Sequence, residues 1–417
     1  MARGEGDALL QGGALAGERY RAIVSTDIGG SDPDDFQSMV HYLIYADLFD
    51  TEGLISSPWG DGRKEHILEV IDAYERDYPL LVRHSDRYPS PDYLRSITKQ
   101  GALGRAPLAG YTSSTEGSEW IVECAKRPDP RPLWVLVWGT IDDLAQALHD
   151  EPSIAPKLRV YYISGPNKKW GIEAYEYIRT NFPGLWIIEN NSTYRGWFVG
   201  GDQEGEFGNR SFVARHVAGH GALGDFFASH LKGTIKMGDT PSVAYLLRGE
   251  PEKPEGAHWG GSFAPVKSRP LSVFDRPTTL EDQVELYGIL RLELPGPQAG
   301  PPSGEACFWL VVEGQQFEGY HAGGGRYVVQ FMPKRTGSWS YETKSAIPAL
   351  DGIKGAFTCV PESPAHLGRD ASTHPFWWSD RLEPELREEV HCGAKTVSRW
   401  RRQFLADFAA RMDRCLP

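Results

Sequence analysis

RAIVSTDIGGSDPDDF, residues 21–36, is an apolar run that ends in a glycine-bearing turn with four aspartates, Asp27, Asp32, Asp34 and Asp35. Read as a buried strand of a parallel sheet, it puts the turn at the strand's carboxyl end, where open α/β sheets bind ligands. Gly29 and Gly30 let the backbone bend sharply enough for Asp27 and Asp35 to point at one spot. Carboxylates so crowded repel one another unless a cation neutralises them, and an all-oxygen donor set favours calcium or magnesium over zinc. The plainer alternative is that the aspartates cap the following helix, FQSMVHYLIYA, and complement its dipole. One cap needs one side chain, and the turn offers several.

Outward from this turn, short apolar runs alternate with amphipathic stretches as far as about Leu247, the pattern of a parallel sheet covered by helices on both faces. Strands are predicted at 21–26, 51–57, 79–83, 132–138, 158–164 and 185–189, and EHILEVIDAYE (65–75) and SEWIVECAK (118–126) carry helical spacing. Residues 249–270 concentrate Gly and Pro and mark a boundary. From 271 to 361 the pattern becomes strand alternation. In YVVQFMPKRTGSWSYET (327–343), Tyr327, Val329 and Phe331 share one face and Trp339, Tyr341 and Thr343 another, which predicts a hairpin through PKRTG in an immunoglobulin-like β-sandwich. Helical spacing returns at the end, where Val397, Trp400, Phe404, Phe408 and Met412 line one face that must dock on something.

Bulk properties narrow the partners. The 417 residues suggest two cores, and 40% hydrophobic with 24% charged residues is ordinary for a globular chain. A net charge of −12 without a basic run disfavours nucleic acid. No apolar stretch reaches the roughly 18 residues of a membrane span. No signal peptide is visible, so a cytoplasmic location is expected. The five cysteines lack metal-site spacing, and only Cys307 and Cys359 look like a disulfide pair. The expected partner is a small-molecule or saccharide substrate, with a homo-oligomer left open.

The acidic turn resembles the DxDPGxDD signature of nucleoside hydrolases, stretched by three residues. WGTIDDLAQAL (138–148) is similar to that family's GPLTNLA loop, with Asp142 at the position whose carbonyl binds calcium, and KMGDTPSVAYLL (236–247) resembles its late HDP segment, with Asp239 as the last metal-binding aspartate. GDTPS, HWGGSF and RWRRQFLADFAARMD resemble more specifically the nucleoside-hydrolase-like branch of cellulose-binding proteins, in which the terminal helix belongs to the hydrolase-like domain. The resemblance implies a mostly parallel doubly wound α/β domain in two pieces, 20–268 and 372–417, interrupted by the β module.

It further implies a calcium-dependent glycosidase acting on an N- or O-glycosidic bond of a ribofuranoside-like substrate. Calcium would be held by Asp27, Asp35, Asp239 and the Asp142 carbonyl, with Asp27 as general base toward water and Asp34 on a sugar 2-hydroxyl. Asp32 is an alternative to Asp34 in that role. Glu189, Asn190 and Asn191, in IIENNSTYRGW, would grip outer hydroxyls, and Trp59, Trp138, Trp170, Trp197 and Trp259 follow strand ends, where sugars stack. Gly238 stands where the family often has a leaving-group histidine, which leaves His258 as a candidate acid. The competing reading is a carbohydrate-binding protein that keeps the cation site without turnover. A phosphohydrolase of the haloacid dehalogenase type would need DxDxT, which Ile28-Gly29-Gly30 does not supply.

Overall fold

The computed structural model describes residues 19–30, 32–57, 60–302, 304–370 and 372–417. Eight strands, β1 (Tyr20–Thr26), β2 (Phe49–Ser56), β3 (Thr98–Gln100), β4 (Leu133–Val137), β5 (Leu158–Ile163), β6 (Ile187–Asn190), β7 (Phe263–Pro265) and a late strand β16 (Trp377–Asp380), form one sheet in the order β3-β2-β1-β4-β5-β6-β16-β7. All pairings are parallel except β16 with β7, which is antiparallel. The sheet is therefore mostly parallel and doubly wound. β1 buries Ala22 and Val24 on one face and Ile23 on the other, each in a separate apolar core, because alternate residues of a strand point to opposite faces. The chain leaves β1 toward β2 on one side and returns at β4 on the other, so a crevice opens at the carboxyl ends of β1 and β4.

The helices that cover the sheet are α1 (Asp34–Ile44), α2 (Lys64–Leu81), α3 (Pro91–Ser96), α4 (Glu116–Lys126), α5 (Asp142–Asp150), α6 (Ile172–Asn181), α7 (Asn209–His216), α8 (Gly221–Ser229) and α9 (Thr240–Leu247), followed at the end of the chain by α10 (Lys395–Ser398) and α11 (Arg401–Met412). The strand predicted at 79–83 is instead the end of α2, which runs through Pro79. Leu81 continues the buried helical face begun by Ile67, Val70, Ile71 and Tyr74, so the period of 3.6 prevails over local β-propensity. No described helix is long and apolar enough to cross a membrane.

Residues 271–360 carry the all-β module: β8 (Leu271–Phe274), β9 (Gln283–Glu285), β10 (Ile289–Pro295), β11 (Ala306–Val312), β12 (Gln315–His321), β13 (Arg326–Phe331), β14 (Gly337–Ser345) and β15 (Lys354–Val360), in the order β8-β10-β13-β12-β11-β14-β15-β9. Tyr327, Val329 and Phe331 of β13 and Trp339 and Tyr341 of β14 all enter one core, and Phe331 meets Trp339 at 5.4 Å. The expected hairpin is absent, because β12 and β11 lie between β13 and β14 in the ladder. PKRTG carries the chain across the core rather than back along a neighbour. Cys307 and Cys359 are buried free thiols, each near a backbone carbonyl, so the expected pair does not form.

The module and the larger sheet share packing. Tyr287, Ile289 and Met332 join Val266 and Trp377 in the core beneath one face of the first sheet. Beyond the module, β16 slots between β6 and β7, and α11 stacks Phe404 on Trp197 at 3.7 Å and buries Phe408 and Met412 against the body. The segment after the β-rich stretch thus completes the sheet that the segment before it begins.

Candidate functional site

The turn after β1 delivers Asp34 and Asp35 as the first two residues of α1, yet neither caps it: the N-cap is Pro33, and no side chain makes a capping bond. Asp239, the N-cap residue of α9, likewise makes no side-chain cap. Their carboxylates turn to one another instead, and one oxygen from each of Asp34, Asp35 and Asp239 lies within 4.8 Å of the others. Asp27 adjoins them and hydrogen-bonds to Asp35. Two turns about 200 residues apart therefore meet at the mouth of the crevice.

Hydrogen bonds from both turns hold the cluster in place. The Thr26 hydroxyl donates to Asp35. The Gly238 amide donates to Asp34 Oδ2 at 2.9 Å. Ser38 Oγ accepts from the Asp239 amide at 3.3 Å, and Trp138 Nε1 donates at 2.7 Å to Ser242 Oγ, which itself donates to the Asp239 carbonyl. Met237, with φ of +48°, adopts the left-handed conformation that turns Gly238 toward Asp34. A side chain at 238 would not fit, since a Cβ there would come within 2.4 Å of Asp34 Oδ2.

These donors do not offset the crowding. Burial first, then repulsion from the neighbouring carboxylates, pushes the acid constants of Asp35 and Asp239 well above the usual range. Asp34 is raised mainly by burial even though Lys236 Nζ sits 3.4 Å away. Asp27, partly exposed to the cavity, is pushed up to about 7 by burial and by Asp34. Asp32 goes the other way: burial is outweighed by hydrogen bonds from Asp34 and Lys236, and it stays a carboxylate paired to that lysine. A buried, all-oxygen set whose members resist ionising together fits a hard divalent cation.

The cavity, about 230 Å³, is lined by Asp27, Asp32, Asp34, Asp35 and Asp239 together with Trp138, Asn167, Lys169, Trp170, Tyr194 and Lys236, and Gln315 and Lys334 are contributed by the β module. Asn167 reaches in from the loop after β5, its amide donating to the Trp138 carbonyl at 2.6 Å. Lys236, Asn167 and Lys169 went unnoticed in the sequence; only Lys236, beside GDTPS, carried a positional signal.

Several expected site residues lie elsewhere. Asp142 does not line the cavity: its carboxylate accepts the Ala106 amide at 2.7 Å. Glu189 is fully buried between Lys168 (2.6 Å), Arg269 (2.7 Å) and the Tyr175 hydroxyl (2.8 Å). Burial would raise its acid constant, but Arg269 and Lys168 prevail and hold it at about 2. Asn190 bridges the Tyr161 hydroxyl and the Tyr194 amide, and Asn191 bridges Ser164 and Ser379. All three are internal struts, because β16 covers the side of β6 they would have exposed. His258 is buried against Tyr245 with its ring nitrogens near the Glu250 and Gly256 carbonyls, and burial lowers it to about 4, so it is neutral and walled off. Trp259 donates to Gln403 on α11, and Trp197 is in the core. Trp59 lies outside the described residues.

Comparison with known proteins agrees with this architecture. Residues 21–263, more than half of the chain, match the family model described as cellulose-binding Sde182, nucleoside hydrolase-like domain, and residues 283–346 match a domain of unknown function, DUF5060. A nucleoside hydrolase-related protein from Saccharophagus degradans, described as associated with carbohydrate metabolism, superposes with a TM-score of 0.50 at 20% identity, over 82% of this chain and 100% of that one. This is a likeness of fold. Less similar are an inosine-uridine preferring nucleoside hydrolase from Bacillus anthracis (TM-score 0.37, 15% identity, 60% of this chain and 87% of that one) and a purine-preferring ribonucleoside hydrolase from Gardnerella vaginalis (0.36, 13%, 59% and 83%). A search of curated proteins gives no match. The chain belongs to the family of cellulose-binding Sde182 proteins with a nucleoside hydrolase-like domain.

Proposed function

We propose that the chain is a calcium-dependent glycosidase that hydrolyses an N- or O-glycosidic bond of a ribofuranoside-like substrate in the cavity at the ends of β1 and β4. The observation that carries this reading is the meeting of Asp34, Asp35 and Asp239 within 4.8 Å, with Asp27 beside them, in a cavity also lined by Trp138, Trp170 and Tyr194. The family's nucleoside hydrolase-like domain supports it. Calcium held by Asp34, Asp35 and Asp239, with Asp27 at its edge, would neutralise the crowded carboxylates and bind water and sugar hydroxyls.

The chain's own residues account for the rest. Asp27, facing the cavity, takes the proton from water as its oxygen attacks the anomeric carbon, and the bond to the leaving group breaks with its electron pair. Carboxylates around the ring favour the positive charge that develops on the sugar. Lys236 fixes Asp32 for hydroxyl recognition. Among the described residues no histidine lines the cavity, so the leaving group departs as a stable anion or takes its proton from water. The test is hydrolysis of a panel of nucleosides and p-nitrophenyl furanosides with calcium present. Release by the wild type and its loss by a hundredfold or more in Asp27→Asn are expected; equal rates would remove Asp27 as base.

A second reading, a carbohydrate-binding protein without turnover, is favoured by the same lack of a cavity histidine and by the family's cellulose-binding description. It predicts calcium-dependent sugar binding with no product.

A further inference from the structure

The cavity carries two ammonium groups that the chemistry above does not use. Lys169, between β5 and α6, is only 5% exposed yet lines the cavity. Its Nζ is 2.8 Å from Gln315 Oε1 of the β module and 4.4 Å from the Trp170 ring centre. Lys334, in the loop after β13, lines the same cavity and is close enough to act electrostatically on Lys169. The neighbouring lysines are satisfied, Lys168 by Glu189 and Lys236 by Asp32 and Asp34. Among the described residues neither Lys169 nor Lys334 has an ion-pair partner, and Glu313, the carboxylate nearest in effect to Lys169, is engaged by Arg335. Burial and then Lys334 bring Lys169 down to about 8.

A buried cation without a counter-ion is costly unless something outside the fold supplies one. Here the cation faces a cavity rather than solvent or core. The cavity is lined both by carboxylates and by ammonium groups without an ion-pair partner among the described residues, and a ligand that carries hydroxyls and an anionic group matches both. We propose that the cavity takes a sugar bearing an anionic group, a carboxylate, sulfate or phosphate, bound by Lys169 and Lys334, so that the β module, through Lys334 and Gln315, helps set substrate specificity. This rests on the reading of the aspartate cluster as a sugar site.

The test is calorimetric titration of the full chain, in calcium-containing buffer of low ionic strength, with galacturonate against galactose, galactose 6-sulfate against galactose, and ribose 5-phosphate against ribose. The three pairs distinguish the anion. At least one acidic sugar is expected to bind about tenfold or more tightly than its neutral parent, and this ratio falls toward one in Lys169→Met and in Lys334→Ala. Lys334 is exposed, so the second variant keeps the test decisive even if the first fails to fold. Neutral sugars binding as tightly as acidic ones, or an acidic preference that survives both substitutions, overturns the proposal and leaves the sugar site standing. Failure of every sugar to bind the calcium-loaded wild type overturns the sugar site and this proposal together.

Discussion

Gly238 presents its backbone amide to Asp34 Oδ2 at 2.9 Å, from a position where any Cβ would lie 2.4 Å from the same oxygen. The glycine is thus a consequence of how closely the late turn approaches the early one. Restoring the histidine that nucleoside hydrolases often carry here, by Gly238→His, would push Asp34 away from Asp35 and Asp239. The expected result is a loss of about 1–3 kcal/mol in unfolding free energy by chemical denaturation, together with weakened calcium binding and no gain of nucleoside hydrolysis. A stable variant with new activity on inosine would show that the turn has room to spare.

Glu189 separates a structural role from a ligand-gripping one. Removing its charge in Glu189→Gln leaves Lys168 and Arg269 buried with a neutral partner, and loss of one member of such a pair costs about 3–5 kcal/mol. Thermal and urea unfolding should show that loss, while KM for any turned-over substrate stays the same below the melting transition. A raised KM without lost stability would return Glu189 to the substrate.

His258 gives a pH signature. Its folded acid constant is lowered to about 4 by burial, against about 6.5 when unfolded. Above pH 6.5 neither state holds the proton. As pH falls toward 4 the unfolded chain takes up a proton that the folded chain refuses, so stability declines by an amount on the order of 3 kcal/mol. Below 4 both states are protonated and the decline levels off. His258→Phe, which retains an aromatic ring to stack on Tyr245, should lose less stability than the wild type between pH 7 and 4. Parallel curves for the two proteins would contradict the buried neutral histidine.

How much of this was legible in the sequence differs by residue for physical reasons. The aspartates of the first turn could be read because carboxylates crowded at a strand end have few structural uses in such number, whereas Asp239 was placed only by the resemblance of KMGDTPSVAYLL to a nucleoside-hydrolase segment. Five of the six predicted strands lie in the parallel sheet, since continuous apolar runs bounded by turn residues leave little ambiguity. Glu189, Asn190 and Asn191 were misread because a polar residue after a strand looks the same whether it meets a ligand or the interior. What decides is Arg269, eighty residues later, and a strand at 377–380 that arrives from beyond the β module. The hairpin failed similarly: alternation gives the face of a strand but not its neighbour, and two strands facing one core from opposite sides show the same pattern as a pair. Lys169 and Lys334 had no sequence signal, since their meaning lies in lining the cavity without an ion-pair partner among the described residues.

The most direct test of the account is calorimetric titration of calcium into EDTA-stripped protein, comparing the wild type with Asp239→Asn. One calcium per chain is expected for the wild type, with affinity falling as pH drops below about 7, where protons compete for Asp27 and its neighbours. The variant should bind at least a hundredfold more weakly, since it lacks one of the three converging carboxylates. A wild type that takes up no calcium, or a variant that binds it equally well, would contradict the claim that two distant turns build one cation site.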